Sequence, residues 1–204
     1  NMENDKKIIS LDDTEYELLK EDIVGGNNFY MAAMVGDNRL SYITGTIDKT
    51  LAAAGREYYS IDGKSDDYME VAEYYYGTLM RELQQVRESE PRDIPIMVLS
   101  SSDCNSIHDY TTLIGKLVVL NADVLYPEFQ NSTHQLYFAK GGFGCNPEGT
   151  GNAIFAENLY TGESCRIERY EVIGVIKQDK LPQWAKDKLE EKESQKEKPK
   201  GEER

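Results

Sequence analysis

From Ser65 to Glu88 apolar residues recur at the spacing of a single helix face, and at Ile94 that period stops. Met69, Ala72, Tyr76, Leu79, Met80, Leu83 and Val86 make the stripe. Ser65 is a good N-cap, Asp66 and Asp67 suit the positive end of the helix dipole, and Pro91 forbids continuation. Beyond it the apolar residues come in short runs. Residues 94–99, 116–120, 135–139, 153–157 and 167–176 read as strands. They are separated by Tyr126-Pro127, by the glycine-rich stretch from Gly141 to Gly151 and by Thr161-Gly162.

Upstream of the stripe the spacing points to two further helices. Asp12 or Asp13 would cap one that runs through Glu15, Leu18 and Leu19 and stops at Gly25-Gly26. The other would run from about Asn38 to Ala54, with Leu40, Ile43, Ile47, Leu51 and Ala54 in step and Gly55 after it. The expected fold class is therefore α+β. An acidic, mainly helical region would span 1–92, and a small antiparallel β-rich region 93–178. Residues 183–189 would open a short helix anchored by Trp184. From 190 to 204 the chain is nearly all Glu, Lys, Gln and Ser, a composition that cannot bury enough surface to order itself.

Charge is unevenly placed. The net charge of the 204 residues is -14, and residues 1–110 hold 22 acids against 10 bases, whereas 111–185 hold 8 against 6 and 186–204 are balanced. A field of that sign repels phosphate backbones and draws in basic protein surfaces, which argues against duplex DNA binding through the front half. No run approaches the roughly 20 apolar residues of a membrane span. Cys104, Cys145 and Cys165, odd in number and widely spaced, fit a reducing, cytoplasmic setting, in which the Asn131-Ser132-Thr133 sequon carries no glycan. Asn1 ahead of Met2 reads as the remnant of a cleaved tag.

Four groups of residues have the chemistry to form a site. The stretch Gly141-Gly142-Phe143-Gly144 through Gly151 can present amides to an anion, but no Gly-Lys-Ser/Thr follows it and a strand, not a helix, comes next. Turn geometry alone accounts for its glycines. His134, Lys140, Arg166 and Arg169 can clamp a phosphate or carboxylate, or line a solvated strand face. Cys104 and His108, with Asp103 and Asp109 beside them, have a thiol and a base four residues apart, a spacing that identifies no known class of cysteine enzyme. No Cys/His set has zinc-ligand spacing, and no cofactor or metal is expected. The last group is acidic and tyrosine-rich: Asp66, Glu70 and Glu73 on one helix face, with Tyr58, Tyr59, Tyr68, Tyr74, Tyr75 and Tyr76 close in sequence. Tyrosine adds rigid contact area with a polar tip, and spaced carboxylates can stand in for phosphates.

An ordered series of motifs carries a resemblance. It runs from Gly115-Lys116-Leu117-Val118-Val119-Leu120 through Gln135-Leu136-Tyr137-Phe138-Ala139-Lys140-Gly141-Gly142-Phe143-Gly144 and Asn152-Ala153-Ile154-Phe155. It continues with Gly162-Glu163-Ser164-Cys165-Arg166 and Arg169-Tyr170-Glu171-Val172-Ile173-Gly174, and closes at Leu181-Pro182-Gln183-Trp184-Ala185. Over residues 115–189 the chain resembles proteins of Firmicutes plasmids, phages and conjugative elements, among which are inhibitors of type II RNA-guided nucleases (anti-CRISPR proteins). The resemblance implies a type II effector, with or without its guide RNA, as the protein partner whose basic surface the acidic front half would meet. Three roles follow as expectations: an inhibitor that covers the effector's nucleic-acid channel, a metal-independent ribonuclease that shortens guide RNA through His134, Lys140, Arg166 and Arg169, and an accessory protein of conjugation or plasmid maintenance.

Overall fold

In the computed structural model residues 7–36, 41–91 and 93–196 are described, and the chain divides into two units, 1–91 and 92–204. The first unit is not a helical region. It is an antiparallel sheet of β1 (Ile8–Leu11), β2 (Thr14–Val24), β3 (Asn27–Met34), β4 (Tyr42–Asp48), β5 (Tyr58–Tyr59) and β6 (Gly63–Ser65), with one helix, α1 (Tyr68–Ser89). The strands follow in chain order, and β5 and β6 both pair with β4 along one edge.

The two helices expected upstream are strands for identifiable reasons. Asp12 and Asp13 do not cap anything. They are the two central residues of the β1–β2 turn, both at positive φ (48° and 61°). In β2, Glu15, Tyr16, Glu17 and Leu18 alternate as a strand should, but a bulge between Leu18 and Lys20 inserts one residue. That extra residue turns a period of two into a spacing that mimics a helix. In β4, Ile43 and Ile47 are four apart, which suits a strand face as well as a helix face, and the intervening Thr44 and Thr46 are β-branched. Residues 38–40 of that expected helix lie outside the described set. Its far end is only a 3-10 turn, Ala52–Ala54.

α1 falls where the stripe put it, but rotated. Asp67 is its N-cap, accepting from the Met69 amide at 2.8 Å, while Ser65 lies before the cap and its hydroxyl bonds to Glu70 at 2.6 Å. Val71, Ala72, Tyr75 and Leu79 face the sheet and pack with Val24, Phe29 and Met31. Met69, Tyr76, Met80 and Leu83 remain exposed, Met80 at 65%. The other sheet face buries Ile9, Tyr16, Tyr30, Ala32, Ile43 and Ile47.

The second unit carries β7 (Cys104–Asn105), β8 (Leu117–Leu120), β9 (Leu136–Gly141), β10 (Ala153–Asn158), β11 (Ser164–Glu168) and β12 (Val172–Ile176) in the order β11-β10-β9-β8-β12-β7. β8 is buried throughout: Val118 and Leu120 enter one core, Leu117 and Val119 another. A central strand covered on both faces is a continuous apolar run. The run expected at 167–176 is two strands, broken by a 3-10 turn at Arg169–Glu171 in which the Glu171 carboxylate accepts from the Glu168 amide. Residues 94–99 form no strand. The buried amide of Gln135, in the short helix α2 (Ser132–Gln135), takes both backbone groups of Leu99, so a side chain replaces a ladder. The helix α3 (Gln183–Lys196) runs seven residues past 189 into the segment expected to be disordered. It is held by buried Leu181 and Ala185, by Trp184, and by Lys192 bonded to Glu157. Residues 197–204 lie outside the described set.

Candidate protein-interaction surface

The sheet register decides where the acids of the first unit lie. One row reads Ile8, Glu17, Ala33, Tyr42, Ser65 across the strands. Past it, at the same end of the sheet, come the Asp12-Asp13 turn with Glu15 and, on the far side, the β6–α1 junction with Asp66 and Asp67. Glu70 and Glu73 follow in the first turns of α1, one residue type repeated at a spacing of three. Eight carboxylates, Asp12, Asp13, Glu15, Glu17, Asp66, Asp67, Glu70 and Glu73, thus belong to two junctions at one end of the sheet. Lys64 is the one Lys or Arg among the described residues of those segments.

The turn at Asp12-Asp13 is informative in itself. A two-residue hairpin with both central φ values positive favours Asn-Gly, Asp-Gly or Gly-Gly. The β2–β3 hairpin of this protein uses Gly25-Gly26 for that purpose, with φ of 61° and 81°. Asp12 and Asp13 are the only non-glycine residues at positive φ among the described residues. Asp12 suits the first position, and Asp13 holds a carboxylate at the second, where glycine is the less strained choice.

The residues singled out from sequence are placed as follows. Asp66, Glu70, Glu73 and Tyr74 are exposed, and beside them Tyr68 packs edge-on against Tyr42 at 5.4 Å. Tyr75 is 1% exposed, so it supports this surface from beneath and does not line it. The exposed Met69, Tyr76, Met80 and Leu83 supply apolar area on the same helix, a feature hidden in the sequence because they share one stripe with the buried residues.

The glycine-rich loop is consumed by its own packing. The amides of Cys145, Asn146 and Gly149 donate to carbonyls within the loop, and that of Glu148 to the Asn146 side chain. A Cβ at Gly142 would lie 2.3 Å from the Ala153 oxygen, and one at Gly144 2.1 Å from the Asn152 oxygen. These glycines let the loop lie flat on β10. Gly141 has open space around it, and the Phe143 ring is exposed at its tip.

The basic set is not assembled. Lys140 pairs with Glu157 at 3.1 Å and lies over the Phe138 ring, Arg166 pairs with Glu168 at 2.6 Å, and Arg169 donates to the Gly144 carbonyl at 2.6 Å. His134 lies on α2 with its ring against Phe129. Lys140 and Arg166 share the outward face of β9–β11, since Arg166 stands opposite Phe155, two residues from Glu157. Each is neutralised by its own carboxylate. Burial and the Asp103 charge push the Cys104 thiol up to about 11, so it is a packed thiol and not a nucleophile near neutral pH. Among the described residues no group of His, Cys, Asp and Glu is arranged to hold a metal ion, and no helix is long and apolar enough to cross a membrane.

Comparison of the chain with protein-family models, with curated proteins and with solved structures finds no match.

Proposed function

We propose that this protein is a stoichiometric inhibitor that acts in the cytoplasm by covering a basic, nucleic-acid-binding surface of a partner, and that the partner is a type II RNA-guided nuclease. The single observation that supports it most is the Asp12-Asp13 turn, which keeps two carboxylates at positive φ at the end of the sheet where Asp66, Asp67 and Glu70 also lie. Met69, exposed in the first turn of α1, adds apolar area beside these acids, and Tyr76, Met80 and Leu83 continue the exposed apolar surface along the helix toward its other end. The nuclease as partner rests on the resemblance of residues 115–189.

The test is a competition. Guide RNA or target DNA labelled with a fluorophore is titrated onto the nuclease in the presence of this protein. The reading expects one equivalent of protein to prevent loading and the nucleic acid to remain intact. Loading unaffected by excess protein defeats the reading. Shortened RNA would instead favour the nuclease-like role, for which the dispersed His134, Lys140, Arg166 and Arg169 provide no shared site.

A further inference from the structure

Among the described residues no strand pairs with the outer edges of β1 and β5, and the two edges face the same space. Residues 7–11 form one wall of a cleft of about 580 Å³, and Gly55, Glu57, Tyr58 and Tyr59 form the other. Every neighbouring pair from β1 to β5 is antiparallel, so β1 and β5 run in the same direction. The two edges are tied by side chains: Lys7 to Glu57 at 3.1 Å, with the Tyr59 hydroxyl donating to Glu57 at 2.7 Å.

The backbone groups on both walls are oriented for a guest. The β1–β2 turn closes at Leu11 and Thr14, and the Leu18 amide donates to the Lys7 carbonyl. By antiparallel alternation Lys7, Ile9 and Leu11 therefore bond to β2, and the groups of Ile8 and Ser10 point into the cleft. On the other wall the Ser60 amide donates to Thr46, which leaves the groups of Tyr59 turned away from β4. Ile9 faces the core, and Leu11 and Tyr59 pack at its margin, so the cleft has an apolar floor. Its Leu11 end opens on the Asp12-Asp13 turn.

We infer that this cleft binds one extended segment of a partner protein, laid antiparallel to both β1 and β5, with apolar residues alternating toward Ile9, Leu11 and Tyr59 and basic residues between them. An odd number of meandering strands leaves its edges pointing alike. One added strand pairs with each edge by the antiparallel pattern used throughout the sheet, and removes both edges at once. The basic residues follow from Asp12 and Asp13 at the Leu11 end; Glu57 at the other end is already held by Lys7 and Tyr59. The cleft shares the Asp12-Asp13 turn with the charged contact proposed above, but the strand pairing rests on the two sheet edges, and a peptide probe tests it without the nuclease.

The probe is the capped heptapeptide Lys-Val-Arg-Val-Lys-Val-Thr, with a version N-methylated on alternate residues. The inference expects saturable binding to the full chain, at least tenfold weaker after N-methylation, with hydrogen-exchange protection appearing at the Ile8, Ser10 and Tyr59 amides. Ser10→Pro removes a donor that β2 does not use, and weakens binding by a similar factor. No binding, equal binding of the N-methylated peptide, or protection confined to other residues overturns it. So does a dimer in sedimentation with those amides protected before peptide is added, since a second copy would then hold the edges.

Discussion

The hydroxyl of Tyr75 donates to Asp22 at 2.6 Å and ties the middle of α1 to β2. The ring is buried against Val24, Phe29 and Met31, and burial together with the Asp22 charge raises the phenol above its ordinary range, so it stays protonated and donates at all physiological pH. Tyr75→Phe is expected to lower the stability of the first unit by about 1.5 kcal/mol, the scale of a hydrogen bond to a charged group. Tyr75→Ala is expected to cost about 3–5 kcal/mol through the cavity it leaves. Urea unfolding followed by circular dichroism measures both.

Gln135 plays the corresponding part in the second unit. Its side chain, fully buried, accepts from the Leu99 amide and donates to the Leu99 and Leu120 carbonyls at 2.8–2.9 Å. Gln135→Met conserves most of the volume but leaves three backbone groups without partners. A loss of about 3 kcal/mol is expected, since each buried unpaired group costs about 1–3 kcal/mol and neighbours relax in part. Faster hydrogen exchange at Leu99 than at Val118 in the variant checks that the loss begins there.

The seam between β1 and β5 makes stability depend on acid. Bonds from Tyr59 and then Lys7 hold the Glu57 carboxyl below its usual range. Burial works against the Lys7 ammonium, but its bonds to Glu57 and Tyr59 and the Glu21 charge raise it overall. A lowered carboxylate stabilises above its unfolded pKa of about 4.3 and loses that contribution as pH falls through the folded value. A raised lysine stabilises below about 10.4 and loses its contribution only as pH rises through a still higher value. The first unit should therefore hold constant stability from about pH 6 to 9 and weaken in acid, and Glu57→Gln should flatten the acid limb. The partly exposed pair contributes about 1 kcal/mol or less. Unfolding midpoints from pH 3 to 9 for both proteins test this.

What the sequence disclosed and what it hid have physical reasons. α1 was legible because a cap, a stripe and a closing proline agree, β8 because a strand buried on both faces is an unbroken apolar run, and β9 and β10 because each opens on four apolar residues set off by turn residues. β2 was hidden by the bulge at Leu18–Lys20, and β4 by a four-residue spacing that both periods satisfy. The acidity of the front half was plain, and the placing of eight of its carboxylates at one end of a sheet was not, because it depends on the row from Ile8 to Ser65 that only the fold creates. Tyr75 looked like a contact residue since identity alone does not distinguish the inner from the outer flank of a helix.

The glycine-rich loop offers a contrast between neighbours. Gly144→Ala drives a methyl to 2.1 Å from the Asn152 carbonyl oxygen, whereas Gly141 has nothing within 4 Å and no positive φ. Gly144→Ala is expected to destabilise the second unit by more than about 2 kcal/mol, and Gly141→Ala to stay within about 0.5 kcal/mol of the parent. Thermal unfolding of the two variants side by side measures the difference. Equal effects would mean that the loop is not packed on β10 as described.

In the proposed contact Asp12 and Asp13 serve the partner, and Asp13 does so at a position of the turn where glycine is less strained. Asp12→Asn with Asp13→Gly exchanges one favoured residue for another at the first position, places glycine at the second, and removes two negative charges. Calorimetric titration of the double variant and the parent against the proposed partner, a type II nuclease, at low and at moderate salt and alongside a thermal melt, measures both effects. The predicted result is a higher melting temperature, an affinity at least tenfold lower, and a shallower loss of affinity with salt than in the parent. An affinity equal to the parent's at both salt concentrations would contradict it.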